Sequence, residues 1–179
     1  MHIETNAEPN KGRHVPQAQE SLIGKLLAAP VRPGKLVWIG LRPARDVAML
    51  TPESAVLIAG RGIENDRYHT TRDGARQVTL IASEGLAAIA SYLGREMITP
   101  ELLRRNFVTQ GINLNALKGC RFRIGSALLE TSGDCAPCSR MEAALGPGGY
   151  NAVRGHGGIT ARILVGGVVH IGDVLTRAD

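Results

Sequence analysis

The sequence predicts a mainly β protein whose strands form a closed or strongly curved antiparallel barrel, accompanied by a few helices. Many short apolar runs are separated by glycine or proline, and few helical segments lie between them. The 22 glycines and nine prolines favour short elements joined by tight turns over a helical bundle. Aromatic residues make up only 3% of the chain, so aliphatic residues must fill the core.

Apolar runs with β-forming residues mark the predicted strands. In the first half of the chain these runs are 21–29, 35–43, 54–60 and 76–82. In the second half they are 104–111, 121–131 and 158–177, of which the last two are broken at glycine. Gly166 and Gly167 lie between two apolar runs, which predicts a two-residue hairpin turn at that point.

Two segments carry the signals of helices. Ser83–Leu93 begins with a residue suited to cap a helix, Ser83, and Gly94 follows its end. Its apolar stripe, at helical spacing, consists of Leu86, Ile89, Ala90 and Leu93. Thr99 and Pro100 predict a second, shorter helix, with Thr99 as the cap and Pro100 in the first position.

The chain is predicted to form one domain behind a polar tail. Residues 1–20 are polar and predict a mobile N-terminal tail, and residues 21–179 predict a single domain. No stretch approaches the roughly 20 apolar residues of a membrane-spanning helix, and the N-terminus lacks the apolar centre of a signal peptide. We therefore expect no membrane association and a cytoplasmic location, where the three cysteines stay reduced.

The charge balance favours a small anionic ligand. The chain carries a formal charge of +5 and has a pI of about 9.5. A basic protein can bind nucleic acid, but the arginines are spread along the chain, and aromatic residues for base stacking are scarce. A phosphorylated cofactor accounts for the local arginine clusters equally well. We expect a small-molecule ligand and no nucleic acid.

Two of the three cysteines lie three residues apart in Gly133–Gly146, "GDCAPCSRMEAALG". Pro137 is suited to the first position of a helix that ends near Gly146. Cys138 is then expected in the first helical turn, where unpaired N–H groups and the helix dipole favour a thiolate. Cys135 lies outside this helix and lacks that stabilisation. The pattern favours Cys138 as a nucleophile or metal ligand.

Three other interpretations of the two cysteines stay open. A zinc site needs a second pair of ligands, but Cys120 stands alone and the histidines do not form a ligand pair. A dithiol redox pair, Cys135 with Cys138, would usually open a long helix within a βαβ unit, whereas the flanking segments are β. Two ordinary thiols at a turn are the third interpretation.

Charged residues are concentrated in the segment Gly60–Leu80, between two predicted strands. We expect Arg67 and Arg76 to face an anion and Asp66 to order one of them. His69 could transfer a proton in the same site. The alternative is a solvated turn without a ligand.

Two further segments indicate ligand contacts. Arg104 and Arg105 stand just before a predicted strand, where a guanidinium can contact phosphate, and Asn106 can pair with the edge of a heterocycle. This segment could also be a basic surface corner without a ligand. Gly157 and Gly158 predict either a close approach of the main chain to a ligand or a sharp entry into the next strand. Neither segment matches the nucleotide-binding glycine motifs.

Six segments of the chain form one ordered pattern: "GIENDRYH", "RQVTLI", "LLRRNFV", "LKGCRFRIGSALLE", "CAPC" and "GHGGITARILVGGVVHIGDVL". They span about residues 60–175. In sequence and order they resemble the MOSC family, the domain named for the C-terminal part of molybdenum cofactor sulfurase. One departure is Asn65, which stands where relatives usually carry Gly before the Asp–Arg pair. This change can alter the turn but keeps both charges.

The resemblance implies a mainly β, barrel-like fold and a functional cysteine equivalent to Cys138. In relatives this sulfur either holds the metal of the molybdenum cofactor (molybdopterin) or is proposed to carry sulfur as a persulfide. The residues that the resemblance places around the phosphate and pterin of the cofactor are Arg104, Arg105 and Asn106, with Arg67 and Arg76 in secondary positions.

Three functions are consistent with the residues and the resemblance. The first is a molybdenum-cofactor oxidoreductase that reduces N-hydroxylated small molecules with electrons from a separate reductase. The second is a sulfur carrier that accepts sulfur at Cys138 from a cysteine desulfurase, which is a pyridoxal-phosphate enzyme. The third is a dithiol redox protein that uses both Cys135 and Cys138.

Overall fold

A computed structural model of the protein describes residues 21–178, so the predicted polar tail at 1–20 lies outside the described residues. The described residues fall into two compact units, divided after Pro30. The boundary of a single domain at residue 21 stays a prediction. In the described part of the chain, no helix is long and apolar enough to cross a membrane.

The described part of the first unit contains a short helix, α1 (Leu22–Leu27), where the sequence predicted a strand. The prediction of a strand over 21–29 is therefore wrong. Ser21 caps the helix by accepting a hydrogen bond from the Gly24 N–H at 3.0 Å, and this local bond favours the helical turn. The apolar residues that suggested a strand recur at helical spacing and are exposed to solvent: Leu22, Ile23, Leu26 and Leu27.

The second unit carries the strands. Its described residues form ten: β1 (Gly34–Ile39), β2 (Ser54–Ile58), β3 (Gly62–Ile63), β4 (Val78–Ala82), β5 (Phe107–Gln110), β6 (Arg121–Ile124), β7 (Ala127–Asp134), β8 (Ile159–Val165), β9 (Gly167–His170) and β10 (Val174–Arg177). The helices described in this unit are α2 (Ser83–Tyr92), α3 (Pro100–Leu103), α4 (Ser139–Leu145) and α5 (Gly149–Val153), with a 3-10 turn at Leu114–Leu117.

Seven of the strands close into a barrel in the order β1-β10-β6-β7-β8-β4-β5, with β5 paired back to β1. The predicted mainly β, barrel-like fold is confirmed. Neighbouring strands run antiparallel except β4 and β5, which are parallel because α2 and α3 connect them as a crossover. The remaining strands form a small sheet in the order β3-β2-β9.

The hairpin predicted at Gly166 and Gly167 is wrong. Strand β8 pairs with β4 and β7 in the barrel, whereas β9 pairs with β2 in the small sheet. The chain passes from one sheet to the other at these glycines. A Cβ on Gly166 would lie 2.5 Å from the Leu57 carbonyl oxygen, so the close approach of the two backbones requires glycine at this position.

The helix predicted over residues 83–93 is confirmed, but its start differs in detail. Ser83 is the first helical residue and Ala82 occupies the cap position, without a capping side-chain bond. Leu86, Ile89 and Ala90 are buried, as the apolar stripe predicted. The second predicted helix is also present, with Thr99 at the cap and Pro100 in the first position, although the Thr99 side chain makes no capping bond.

The apolar residues form two layers. Alternate residues of the strands fill the barrel interior, where Leu80 and Phe107 are fully buried. The next residues along the same strands, Ile81 and Val108, face outward and pack with apolar residues of α2, α3, α4 and α5. The helices therefore cover the β4–β5 face of the barrel. The segment that contains the cysteine pair leads into one of them, α4.

Candidate functional site

The cysteine segment runs from the end of β7 to the start of α4. The Cys135 N–H donates to the Gly158 carbonyl at 2.9 Å, which ties the segment to the loop before β8. Cys138 has φ −132° and ψ 175° and occupies the cap of α4, where its carbonyl accepts a bond from the Met141 N–H. The prediction that Pro137 opens the helix is wrong, and Cys138 lies one residue before the first helical turn.

The two cysteines have unequal environments. Cys138 is exposed and Cys135 is partly buried, and both are free thiols. Burial raises the pKa of Cys135, and the positive charges of Arg105, Arg76 and Arg42 oppose that rise only in part. Cys135 therefore stays a thiol to higher pH than an ordinary cysteine. An electrophile, a metal or a sulfur donor meets Cys138 first.

Arg105 is a buried cation directly behind the cysteine segment. Its guanidinium donates to the carbonyls of Leu103 at 2.7 Å, Gly157 at 2.9 Å and Cys135 at 3.3 Å. Among the described residues, no carboxylate forms an ion pair with it. Burial lowers the pKa of Arg105, and the charges of Cys135 and Cys138 oppose that change. The site thus contains a fixed positive charge that a thiolate or a bound anion can balance.

Gly157 and Gly158 bring the loop before β8 against the cysteine segment and β4. A Cβ on Gly157 would lie 2.3 Å from the Cys135 carbonyl oxygen. At Gly158, φ is +85° and a Cβ would lie 1.9 Å from the Leu80 carbonyl oxygen. Any larger residue would separate these backbones. The glycines permit a sharp entry into β8 and a close approach to protein backbone, whereas the predicted approach to a ligand stays a prediction.

Asp66 orders an arginine, but not one that the sequence indicated. Its carboxylate forms a two-pronged pair with Arg42, at 2.8 Å and 3.0 Å, and not with Arg67 or Arg76. Burial disfavours the ionised Asp66, but the hydrogen bonds and charge of Arg42 outweigh this and hold the Asp66 pKa below its usual value. The expected partner was wrong because Arg42 lies 24 residues upstream and reaches Asp66 only through the fold.

Asn106 joins this pair to the barrel. Its side chain is fully buried and donates to Asp66 at 3.0 Å and to the Gly40 carbonyl at 3.2 Å. Its carbonyl oxygen accepts from Arg42 and from the main chain and hydroxyl of Thr79. The amide is therefore fully engaged within the protein, and it acts by holding Arg42 and β4 in place.

The other predicted residues are placed as follows. Arg104 has a left-handed backbone (φ 52°) and donates to carbonyls in the segment 44–47, so it points to a different segment from Arg105. Arg76 is exposed, and its charge reaches Cys135. Arg67 is exposed and donates its main-chain N–H to the Arg42 carbonyl. Arg76 and Arg105 therefore interact with the cysteine segment, whereas Arg104 contacts the segment 44–47.

His69 and Asn65 belong to a separate surface depression, which shares no lining residue with the cysteine segment. His69 is exposed and pairs with Gly62 in an isolated β-bridge. Asn65 has φ 62°, a left-handed conformation that glycine and asparagine adopt most easily. The departure from Gly at this position therefore preserves the turn.

A pocket of about 260 Å³, which we call the cysteine pocket, opens beside the cysteine segment. Cys135, Ala136 and Pro137 form one wall, and the glycines of the loop before β8 form another. Lys118 and Arg154 add positive charge at its edge, although Asp134 pairs with Lys118 at 2.7 Å. Among the lining residues that the sequence did not indicate are the basic residues Lys118 and Arg154, which lie far apart along the chain.

The donor set determines what the cysteine segment and the pocket beside it can hold. Within the described residues, no three His, Cys, Asp or Glu side chains form a metal-binding cluster. The protein can therefore supply one accessible thiolate, from Cys138, but not a complete set of metal ligands. The basic surroundings favour an anion. These features fit a metal that arrives with most of its ligands in an anionic organic molecule, and they fit a protein-bound persulfide equally well.

The fold and the site together define a β-barrel protein with an exposed cysteine, Cys138, directly after the segment 135–137 that lines a basic pocket. The family model of the MOSC domain matches residues 65–176. This match covers more than half of the chain, and the chain belongs to the MOSC family, which is associated with molybdenum-cofactor-binding proteins. No match was found among curated proteins.

Solved structures with the same fold agree with this placement. The YuaD protein from Bacillus subtilis aligns with a TM-score of 0.71 at 20% sequence identity, over 81% of this chain and 95% of that chain. YiiM from Geobacillus stearothermophilus aligns with a TM-score of 0.61 at 19% identity, over 82% of this chain and 75% of that chain. YiiM from Escherichia coli gives 0.62 at 16% identity, over 81% and 70%. At these identities the similarity shows the shared fold.

Proposed function

We propose that the protein binds the molybdenum cofactor through the Cys138 thiolate and acts as an oxidoreductase on N-hydroxylated small molecules. The observation that carries this proposal is the exposed Cys138, which interacts electrostatically with the buried guanidinium of Arg105, a cation without a carboxylate partner among the described residues. Membership of the MOSC family supports the choice of cofactor. A separate reductase would donate the electrons.

The residues of the chain would hold the cofactor in distinct ways. Cys138 would supply one sulfur ligand to the metal, and Arg105 would balance the negative charge that this thiolate brings into the site. Lys118 and Arg154 would attract the phosphate at the edge of the pocket, and Arg76 would add to the positive field. When bound, the cofactor supplies a metal centre that exchanges two electrons with a substrate. Removal of the oxygen of an N-hydroxyl group takes these two electrons and two protons and releases water.

The first test is the metal content of the protein. The chain is purified from a host that makes the cofactor in excess, and molybdenum and pterin are measured per chain. We expect close to one of each, or uptake to that level when free cofactor is added. A metal-free chain that also fails to take up added cofactor would overturn the proposal.

A second function, sulfur transfer, is favoured by the accessibility of Cys138. The Cys138 thiolate would attack the terminal sulfur of a persulfide on a cysteine desulfurase, so that the sulfur–sulfur bond of the donor breaks and a Cys138 persulfide forms. The thiolate of the desulfurase leaves, and no net electrons are exchanged. Mass spectrometry after incubation with a desulfurase and cysteine would show a gain of one sulfur that is lost in Cys138→Ser.

The third function, a dithiol redox pair, is tested by Cys135→Ser. The partly buried Cys135 has a raised pKa, so it is a slow nucleophile at neutral pH. We expect the cofactor content and the activity of Cys135→Ser to match the unmodified chain. Loss of activity with retention of the cofactor would favour the dithiol mechanism.

A further inference from the structure

The exterior of strands β6, β7 and β8 forms a positively charged surface, which we call the arginine face. Side chains alternate along these strands, so Phe122 and Leu129 fill the barrel interior and their neighbours point outward. The described helices pack on the β4–β5 side of the barrel and leave Arg121 and Arg123 exposed to solvent. The charged residues that point outward from the arginine face are Arg121, Arg123, Glu130 and Arg162, with Asp134 at the end of β7.

The positive charge of the arginine face is not balanced within the protein. Glu130 lies directly opposite Arg121 on β6 and opposite Arg162 on β8. Its carboxylate pairs with the Arg121 guanidinium at 3.6 Å. Among the described residues, no carboxylate forms an ion pair with Arg123 or Arg162. Three guanidinium groups thus surround one carboxylate, and the face attracts anionic groups.

The arginine face continues into the cysteine segment. Strand β7 ends at Asp134, directly before that segment, and the Asp134 carboxylate is neutralised by Lys118 at 2.7 Å. Arg76 lies at the same end of β7, because the Ser132 hydroxyl donates to the carbonyl of Ala75. The charge of Arg76 reaches the cysteine segment. A molecule bound along the arginine face would therefore extend to the cysteines.

The chemistry of the arginine face favours an acidic protein segment as its occupant. Of the described residues in β6, β7 and β8, the aromatic one is Phe122, which is fully buried, so no ring is available for stacking with nucleic acid bases. A second copy of the chain would present the same positive charge and be repelled. Outward residues two apart, such as Arg121 and Arg123, are about 6.7 Å apart, which is also the spacing of alternate side chains in an extended acidic segment.

We propose that the arginine face docks an acidic segment of a partner protein and places that partner beside Cys138. Charge complementarity would bring the partner to the correct side of the barrel and would set its orientation. The identification of this partner as the electron-donating reductase rests on the proposed function, whereas the docking itself does not.

The test measures how fast Cys138 is alkylated by a peptide that carries both an acidic segment and a reactive group. The acidic probe is an eight-residue peptide of alternating glutamate and serine, made with a bromoacetyl group at either end. The matched neutral probe has glutamine in place of glutamate. The Cys138 thiolate displaces bromide and forms a thioether, which mass spectrometry locates in the full chain without added metal. At about 20 mM salt the acidic probe should react at least about tenfold faster than the neutral one, and it should lose most of this advantage at about 300 mM salt.

Three variants locate the docking surface. Arg123→Gln combined with Arg162→Gln leaves the ion pair of Glu130 intact and should reduce the advantage of the acidic probe by about three- to tenfold. Arg45→Gln combined with Arg61→Gln removes two exposed charges outside the barrel strands and should leave the advantage unchanged. Glu130→Gln removes the carboxylate from the centre of the face and should increase the advantage by about two- to threefold.

Equal rates for the acidic and neutral probes at low salt overturn the docking surface. An equal loss in the two double variants also overturns it, because the effect would then reflect net charge alone. Single-stranded oligothymidine of eight nucleotides tests the alternative partner, a nucleic acid. If it protects Cys138 at a concentration about tenfold lower than the acidic peptide without its bromoacetyl group, the choice of a protein partner is overturned.

These outcomes are separate from those of the metal analysis. A chain that fails to take up molybdenum, but whose Cys138 reacts faster with the acidic probe, overturns the proposed function and retains the docking surface. A chain that takes up molybdenum, but reacts equally with the two probes before it is loaded, overturns the docking surface alone.

Discussion

Replacement of Arg105 by methionine should destabilise the protein far more than the same replacement at Arg104. Arg105 is 7% exposed, and its guanidinium holds the carbonyls of Leu103, Gly157 and Cys135. Methionine keeps the length of the side chain but leaves these buried acceptors without a donor. At about 1 kcal/mol for each lost bond, we expect the free energy of unfolding to fall by about 3 kcal/mol.

Arg104→Met provides the matched control. Arg104 is half-buried, and its two bonds, to the carbonyls of Val47 and Ala44, are longer, at 3.2 Å and 3.4 Å. The left-handed backbone is the same before and after this change, so we expect a loss below about 1 kcal/mol.

Urea denaturation at pH 7, followed by circular dichroism, measures the free energy of unfolding of both variants. A second readout is the reactivity of Cys135 with a thiol reagent, which should rise in Arg105→Met because the segment loses its anchor. Equal losses of stability in the two variants would refute the conclusion that Arg105 anchors the cysteine segment.

Three further predictions concern the same region. Gly158→Ala should lower the free energy of unfolding by more than about 2 kcal/mol, because the added methyl group meets a main-chain oxygen of β4. Gly155→Ala, with φ +78° and open space around it, should lower it by about 1 kcal/mol, and thermal melts of both variants check this difference. The pKa of Cys135 is raised on folding, so the stability that the Cys135 thiol contributes is present at neutral pH and is lost as the pH rises above about 8.5. In urea titrations at pH 7–10, Cys135→Ala should remove this fall in the free energy of unfolding at high pH. Asp66→Asn should destabilise the protein by about 3 kcal/mol at pH 7, because it leaves the Arg42 guanidinium without its counter-charge. The loss should be smaller near pH 3, because the pKa of Asp66 is lowered on folding and the stability that its carboxylate contributes is lost on acidification. The urea midpoints of the variant and the unmodified chain at the two pH values measure both effects.

Most of the strands were predictable because local signals mark them. Runs such as Ser54–Ile58 and Val78–Ala82 combine β-forming residues with glycine or polar residues at their ends, and the structure contains both. The pairing of these strands is not local. Whether the two apolar runs around Gly166 form a hairpin depends on the strands with which each run pairs. Here β9 pairs with β2 in another sheet.

The start of the chain shows the same limit. The run 21–29 contains apolar residues that fit either a strand or a helix, since short apolar runs are ambiguous between the two. The cap formed by Ser21 decides for the helix. This serine, directly before the apolar residues that begin at Leu22, was the available signal.

The candidate site was predictable in its residue types but not in its contacts. The sequence distinguished Cys138 from Cys135 by expecting Cys138 in a helical turn, whereas the structure distinguishes them by exposure and by the position of Arg105. The Arg42–Asp66 pair spans 24 residues, so no local pattern marks it. Arg104 and Arg105 are adjacent in sequence, but their side chains point to different segments. The left-handed backbone conformation of Arg104 turns its side chain away from that of Arg105.

The role of Cys138 as the ligand of a cofactor metal is tested most directly by the molybdenum content of two cysteine variants. Cys138→Ser and Cys135→Ser are purified in parallel from a cofactor-rich host, and molybdenum per chain is measured by mass spectrometry. We expect Cys135→Ser to retain the molybdenum content of the unmodified chain and Cys138→Ser to lose nearly all of it. Equal molybdenum content in the two variants would contradict the assignment of Cys138 as the ligand.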